Sequence, residues 1–124
     1  MKSEKKLVVL VDDNSINLNA GKDVLAKKYL VVTAASAKKL LSILDKIDPA
    51  LILLDVDMPE MNGFEAIEIL KAKPETRDIP VIFLTGRAAE KDKTMGLSLG
   101  AADYIVKPFE PSMLLEKVES ALGG

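Results

Sequence analysis

The chain has 124 residues, of which 48% are hydrophobic and 29% are charged, and its formal net charge is −2. This length suits one domain with its own core, so we expect a single domain over residues 1–124 with a core spanning about 5–122. The slightly acidic balance, with only two Tyr and three Phe, argues against nucleic-acid binding. No apolar run approaches the ~20 residues that cross a bilayer, so we expect no membrane association and predict a cytoplasmic protein.

Histidine and cysteine are both absent from the sequence. Their absence excludes a Ser/His/Asp triad, a histidine general base, cysteine nucleophiles and metal sites built on imidazole or thiolate ligands. Any chemistry must therefore come from carboxylates, lysine and hydroxyl groups.

Five short apolar segments predict five strands. Each is rich in Val, Ile and Leu, and their nearly continuous hydrophobicity is typical of parallel strands that are covered on both faces. The segments are residues 7–11, 29–32, 50–54, 81–84 and 104–106.

Apolar residues at helical spacing predict helices after the first three strands and after the fifth. They are Ile16, Ala20 and Val24; Ala37, Leu40, Leu41 and Leu44; Phe64, Ile67 and Leu70; and Leu114, Leu115, Val118 and Leu122. Residues 88–99 have a weaker stripe through Met95 and Leu99, and Gly96 lowers the helix propensity of this segment. We predict a helix there as well.

Five strand–helix units in succession predict an open α/β sheet with right-handed crossovers and helices on both faces. Ligands of such sheets bind beyond the carboxyl ends of the strands, near the point where the strand order reverses. Four of the predicted strands lead into polar residues at that edge. These residues are Asp12 and Asp13, Asp55, Thr85 and Lys107.

Each of these residues also has a simple structural interpretation. Asp12 and Asp13, like Asn14 and Ser15 after them, lie where a helix begins and could cap its free amides, and Thr85 could cap a later helix. Asp55 could be a turn residue, and Lys107 could be a solvated surface charge. This interpretation is weaker for the group as a whole, because it must explain separately why polar residues follow four different strands at the same edge of the sheet.

The chemical interpretation begins with the carboxylates. Three clustered carboxylates repel one another unless a cation neutralises them, and hard oxygen ligands suit Mg²⁺. With the ion bound, one carboxylate could attack an activated phosphorus atom to form an aspartyl phosphate, while the ion and Lys107 offset charge on the phosphoryl oxygens. Thr85 could donate a hydrogen bond to one of those oxygens.

Taken in order, the motifs of the chain resemble those of receiver domains of bacterial-type response regulators. Each motif is weak alone, whereas the ordered set, which covers nearly all of residues 7–122, is highly specific. The matching stretches are Asp12-Asp13-Asn14, Asp55-Val56-Asp57-Met58-Pro59-Glu60-Met61-Asn62-Gly63, Thr85-Gly86, Gly100-Ala101-Ala102-Asp103-Tyr104 and Lys107-Pro108-Phe109.

This resemblance implies a flavodoxin-like (βα)5 fold, a doubly wound parallel sheet of five strands in the order 2-1-3-4-5. It implies that Asp55 is the phosphoacceptor of a two-component phosphorelay, that Thr85 and Lys107 contact the phosphoryl group, and that the bond before Pro108 is cis. The implied metal ligands are Asp12, Asp13, Asp55 and the backbone carbonyl of Asp57. The domain would catalyse only its own phosphorylation and dephosphorylation.

The resemblance also implies a switch, in which Thr85 moves toward the phosphoryl group and Tyr104 turns inward, remodelling the face formed by helix 4, strand 5 and helix 5. An ordinary partly buried strand residue is the simpler interpretation of Tyr104. The resemblance implies a phosphohistidine donor, a histidine kinase or histidine phosphotransfer domain, and because the chain has no histidine this donor must lie on another domain or protein. Docking is expected near Ile16 and Leu18, unless both are core residues, and the downstream protein is not identified.

Two positions at which the resembling family varies hold Asp57 and Arg87. These residues could pair across the mouth of the site and tune the lifetime of the phosphorylated form. Gly86 removes side-chain bulk beside Thr85, which would open the site to small phosphodonors.

A magnesium-dependent phosphatase is the main alternative, because Asp55-Val56-Asp57 resembles the Asp-x-Asp motif of haloacid-dehalogenase-like enzymes. Pro59 departs from that motif, and the chain has little room for a substrate cap. A receiver that only binds partners and a flavodoxin are further alternatives; the complete site opposes the first, and the lack of a hydroxyl- and glycine-rich loop after strand 1 opposes the second. The length leaves no room for an output domain, so we expect a stand-alone receiver or one excised from a longer protein such as a hybrid kinase.

Overall fold

Strands and helices alternate along the protein in a computed structural model that describes residues 5–86 and 90–123. The strands are β1 (Leu7–Val11), β2 (Leu30–Ala34), β3 (Leu51–Asp55), β4 (Val81–Thr85) and β5 (Asp103–Val106). The helices are α1 (Ser15–Leu25), α2 (Ala37–Ile43), α3 (Gly63–Ala72), α4 (Glu90–Ser98) and α5 (Pro111–Ala121). None of the helices in the described part of the chain has the length and hydrophobicity of a membrane span.

The strands form one parallel sheet in the order β2-β1-β3-β4-β5, which confirms the predicted flavodoxin-like topology. The chain first adds β2 on one side of β1 and then returns to add β3 on the other side. The strand order therefore reverses between β1 and β3, where a crevice opens at the carboxyl ends. Val11 pairs with Leu54, so the next residues, Asp12 and Asp55, come to adjacent strand ends.

The predicted strand boundaries are correct to within two residues. The range of β1 agrees fully, whereas β3 and β4 each extend one residue further, to Asp55 and Thr85. Both added residues pair with the neighbouring strand, Asp55 with Leu84 and Thr85 with Val106, and the amide of Lys107 donates to Thr85 O at 2.7 Å. These two side chains thus project from the rigid ends of strands.

Both faces of the sheet are buried, which explains the continuous hydrophobicity of the strands. Along β1, Val9 and Val11 face a cluster that includes residues of α2 and α3, whereas Val8 and Leu10 face residues of α1 and α5. Adjacent strand residues point to opposite faces, so helices on both sides require apolar residues at every position.

Helix α4 lies on the same face as α2 and α3, and Gly96 permits its close approach. A Cβ atom at this position would lie 2.9 Å from Cδ2 of Phe83, whose ring is fully buried. Glycine is therefore required by packing although it costs helix propensity. The predicted range of this helix began at residue 88, which lies outside the described residues.

Candidate functional site

Lys107 bridges two buried carboxylates at the carboxyl edge of the sheet. Its Nζ lies 3.0 Å from Oδ2 of Asp12 and 3.1 Å from Oδ1 of Asp55. The two carboxylate side chains are only 1% exposed, and that of Lys107 is 17% exposed. The structure thus brings together residues that follow β1, end β3 and follow β5, as the sequence predicted.

Asp12 and Asp13 do not cap α1, because Asn14 does. The Asn14 side chain accepts hydrogen bonds from the backbone N–H groups of Ile16 and Asn17, at 2.9 and 3.1 Å. The capping interpretation is therefore correct for Asn14 and wrong for the two aspartates, whose carboxylates remain available to the site.

Three acidic side chains form a cluster with the dimensions of a metal site. Asp12, Asp13 and Asp55 each offer one carboxylate oxygen, and these oxygens lie within 4.8 Å of one another. Asp13 is exposed, while the other two are buried. Hard oxygen donors with this excess of negative charge fit Mg²⁺, with the exposed side open to water ligands. The ligand role of the Asp57 carbonyl stays a prediction.

The electrostatics of the site favour a nucleophilic carboxylate beside a fixed cation. Burial, followed by the negative charge of Asp12, raises the pKa of Asp55 to about 6, although hydrogen bonding and charge from Lys107 work in the opposite direction. Burial opposes the charge of Lys107, but its two carboxylate partners outweigh this effect and raise its pKa above the usual value. Near neutral pH, Asp55 is therefore mostly ionised and Lys107 is protonated.

A side-chain contact with Asp57 connects Thr85 to the site. The Thr85 side chain is fully buried, and its Oγ1 lies 3.5 Å from Oδ2 of Asp57. The backbone N–H of Asp57 in turn donates to Oδ1 of Asp55 at 3.2 Å. The predicted partner of Asp57, Arg87, lies outside the described residues, so their pairing stays a prediction.

The loop after Asp55 turns back closely across the end of β3. The amide of Gly63 donates to Val56 O at 2.9 Å, and a Cβ atom on Gly63 would lie 2.6 Å from the backbone oxygen of Asp55. No side chain fits there without moving the backbone of the candidate phosphoacceptor. On the far side of the site, the peptide bond between Lys107 and Pro108 is cis, as predicted.

Tyr104 belongs to the core in this structure. It is 8% exposed, and its ring makes an edge-to-face contact with Phe83 at a centroid distance of 6.5 Å. Beside it, between α4, β5 and α5, is a cavity of about 320 Å³ whose lining includes Val106 and Met113, two exposed apolar residues. The simpler interpretation of Tyr104, as an ordinary partly buried strand residue, is compatible with this position, and its role as a switch stays a prediction.

One residue of the site was missed by the sequence analysis. Nδ2 of Asn17 donates to Oδ2 of Asp12 at 3.2 Å, so this oxygen accepts bonds from both Asn17 and Lys107. The only signal in the sequence was an amide in the first turn of the helix that follows the paired aspartates.

The sequence profile described as "Response regulator receiver domain" matches residues 8–119. The chain belongs to this family. Receiver domains act in two-component signalling, and the match favours this interpretation over the phosphatase and flavodoxin alternatives. It also agrees with the ordered motifs at the strand ends.

Relatives of this receiver domain include larger proteins. It is 41% identical over 115 residues to a probable cyclic di-GMP phosphodiesterase of Vibrio cholerae, an alignment that covers 93% of the chain and 26% of that protein. The chain likewise spans 50% of a transcriptional regulatory protein of Bacillus subtilis, to which it is 36% identical over 121 residues.

Solved structures of receiver domains share its fold. A putative response regulator from Chloroflexus aurantiacus superimposes with a TM-score of 0.92 and 30% identity, over 98% of this chain and 100% of that one. The receiver domain of a Pseudomonas aeruginosa sensor histidine kinase, solved with magnesium coordinated in its active-site cleft, has a TM-score of 0.88 and 26% identity, over 97% and 99% of the two chains.

Proposed function

We propose that this receiver domain takes a phosphoryl group from a phosphohistidine onto Asp55 in a magnesium-dependent reaction and so switches a partner-binding surface. The observation that carries this proposal is the position of Asp55, a buried carboxylate paired with Lys107 and grouped with two further aspartates at the edge where the strand order reverses. We also propose that a single domain spans residues 1–124 and that the protein acts in the cytoplasm.

The transfer is a displacement at phosphorus. An Asp55 carboxylate oxygen forms the new P–O bond while the P–N bond to the donor imidazole breaks, and the departing imidazole keeps that electron pair. Asp12, Asp13 and Asp55, with the carbonyl of Asp57, would hold Mg²⁺, which would offset negative charge on the phosphoryl group. Later attack by water on phosphorus breaks the P–O bond and regenerates the carboxylate.

Lys107 and Thr85 respond to the phosphoryl group. Lys107 moves its hydrogen bond from the Asp55 carboxylate to a phosphoryl oxygen, which the present position of its Nζ, 3.1 Å from Oδ1 of Asp55, supports. Thr85 exchanges its long contact with Asp57 for a stronger bond to a phosphoryl oxygen. This movement changes the packing beside Tyr104 and alters the face formed by α4, β5 and α5.

A histidine kinase or histidine phosphotransfer domain supplies the phosphoryl group. Ile16, which is 75% exposed at the start of α1, supports docking near the acidic cluster, whereas Leu18 packs into the core. The downstream partner is a protein that contacts the cavity beside Tyr104, on the face formed by α4, β5 and α5.

The test is intact-protein mass after incubation with Mg²⁺ and acetyl phosphate. We expect one phosphoryl adduct on the wild type and on Asp23→Asn, which changes an exposed aspartate of α1, and none on Asp55→Asn. No adduct with acetyl phosphate or with a phosphohistidine donor, in a folded protein, would indicate a domain that only binds partners. Sustained turnover of phosphate esters would instead support the phosphatase alternative.

A further inference from the structure

The carboxylate of Asp12 is held by three donors, which differ in charge. Oδ1 accepts from the backbone N–H of Asn14 at 2.9 Å, and Oδ2 accepts from Nδ2 of Asn17 at 3.2 Å and from Nζ of Lys107 at 3.0 Å. The first two donors are neutral and the third is an ammonium group. Because Asp12 is 1% exposed, water contributes little to its orientation.

Both the backbone and the side chain of Asn17 donate hydrogen bonds. It is the third residue of α1, and its backbone N–H donates to Oδ1 of the capping residue Asn14 at 3.1 Å. In α3 the corresponding position holds Glu65, whose longer side chain reaches back to its own cap residue. The short amide of Asn17 instead reaches Asp12, so the capped first turn of α1 presents a rigid donor to the site.

The two donors on Oδ2 respond differently to a divalent cation. The ammonium of Lys107 would be repelled by Mg²⁺ held among the three aspartates, which releases one acceptor position on Asp12. The amide of Asn17 has no charge and would not be repelled. Together with the Asn14 N–H on the other oxygen, it would keep the plane of the carboxylate fixed while Lys107 leaves.

We propose that Asn17 is a positioning residue of the magnesium site, whose side-chain amide holds the Asp12 carboxylate in the orientation that binds the ion. This inference rests on the magnesium-dependent function proposed above. Groups that orient metal ligands in this way typically change metal affinity by about 10- to 100-fold when removed. A purely structural contact would affect the stability of α1 and leave the affinity unchanged.

Calorimetric titration of the metal-free protein with Mg²⁺ tests the proposal. Asn17→Ala removes the donor, and Asn17→Leu removes it while keeping a side chain of similar size with better helix propensity. We expect both variants to bind Mg²⁺ about 10-fold more weakly than the wild type, or worse. The matched control, Asn19→Ala, changes an exposed amide of the same helix and should keep wild-type affinity.

A second measurement follows the bond itself. In NMR spectra of the wild type, the side-chain amide protons of Asn17 should exchange slowly with water both before and after Mg²⁺ is added, and those of Asn19 rapidly. Folded Asn17 variants with a dissociation constant within twofold of the wild type, or tighter, would overturn this inference alone. A wild type that binds no Mg²⁺ would overturn the magnesium-dependent function as well.

Discussion

Lys107 and Asp55 form an ion pair across the crevice of the sheet, with Nζ 3.1 Å from Oδ1. The same ammonium group lies 3.0 Å from Asp12, so one positive charge is shared between two buried carboxylates. In the metal-free protein this lysine partly neutralises the site. A divalent cation bound by those carboxylates must therefore compete with it.

Replacing Lys107 should separate metal binding from phosphoryl transfer. Lys107→Met keeps most of the aliphatic stem but removes the competing charge, so we expect Mg²⁺ to bind up to about 10-fold more tightly. The phosphoryl adduct should form more slowly, because a cation that would offset phosphoryl charge is lost. Calorimetry and intact mass measure the two effects.

The control for this prediction is Lys117→Met. Lys117 pairs with Asp103, away from the acidic cluster, and its loss should change neither quantity. Equal Mg²⁺ affinity in Lys107→Met and the wild type would show that the lysine does not compete with the ion.

The raised pKa of Asp55 predicts a pH-dependent cost to folding. Its pKa is about 6 in the folded protein against an ordinary value of 3.8, so the protonated form is favoured by the fold. The resulting stabilisation is present below about pH 3.8 and is lost as the pH rises through 6. As the pH rises from 4 to 7, the free energy of unfolding of metal-free Asp55→Asn should therefore increase relative to that of the wild type by about 1 to 3 kcal/mol.

Urea unfolding in the presence of EDTA at several pH values measures this difference. Asp23→Asn, at an exposed position of α1, serves as the control and should follow the wild type throughout. Parallel curves for Asp55→Asn and the wild type would contradict the raised pKa.

Two glycines beside the site should differ sharply in their tolerance of alanine. In Gly63→Ala the new Cβ would meet backbone atoms, 2.6 Å from Asp55 O and 2.9 Å from Val56 Cα, so we expect a loss of about 2 to 3 kcal/mol. In Gly86→Ala the Cβ would have no neighbour within 4 Å among the described residues, and stability should change by no more than about 0.5 kcal/mol. Urea unfolding compares the two, and equal losses would be the contrary result.

Asp57 should slow phosphorylation by anionic donors. Its carboxylate lies 3.5 Å from the Thr85 hydroxyl and its backbone contacts Asp55, so its charge lies close to the incoming phosphate. Removing one charge at this range should accelerate adduct formation from acetyl phosphate by about 3-fold at low salt.

Two substitutions of Asp57 distinguish the effect of its charge from the effect of its contact with Thr85. Asp57→Asn removes the charge but keeps an acceptor for Thr85, whereas Asp57→Ala removes both. If charge dominates, the two variants should show the same acceleration, and high salt should reduce it. An acceleration confined to the alanine variant would instead assign the effect to the release of Thr85.

The predicted pair of Asp57 and Arg87 can be tested by a double-mutant cycle on the lifetime of the phosphorylated form. If the pair exists, Arg87→Ala changes the decay rate, and its effect disappears in the Asp57→Ala background. A decay rate that Arg87→Ala leaves unchanged counts against the pair. The lifetime follows from the decline of the mass adduct after acetyl phosphate is removed.

The sequence predicted the elements of the fold and most of the candidate site, because those signals are local. Continuous apolar runs identified the strands, helical spacing identified the helices, and the polar residues at strand ends identified the reactive edge. The ends of the strands were predicted less accurately, because pairing with the neighbouring strands decides where each strand ends. Asp55 and Thr85 are strand residues only because β4 and β5 lie beside them.

Composition alone limits the groups that can react, since the absence of histidine and cysteine leaves carboxylates, lysine and hydroxyls. Which of these groups contact one another depends on the folded structure. Lys107 contacts Asp12, which lies 95 positions earlier in the sequence, and Asp55, which lies 52 positions earlier. Whether atoms so far apart in sequence lie within hydrogen-bond distance depends on strand order and register. The cap on α1 was equally undecided, because Asp12, Asp13 and Asn14 are all suitable residues. In the folded protein Asn14 caps the helix, Asp12 is buried in the site, and Asn17 donates a hydrogen bond to it.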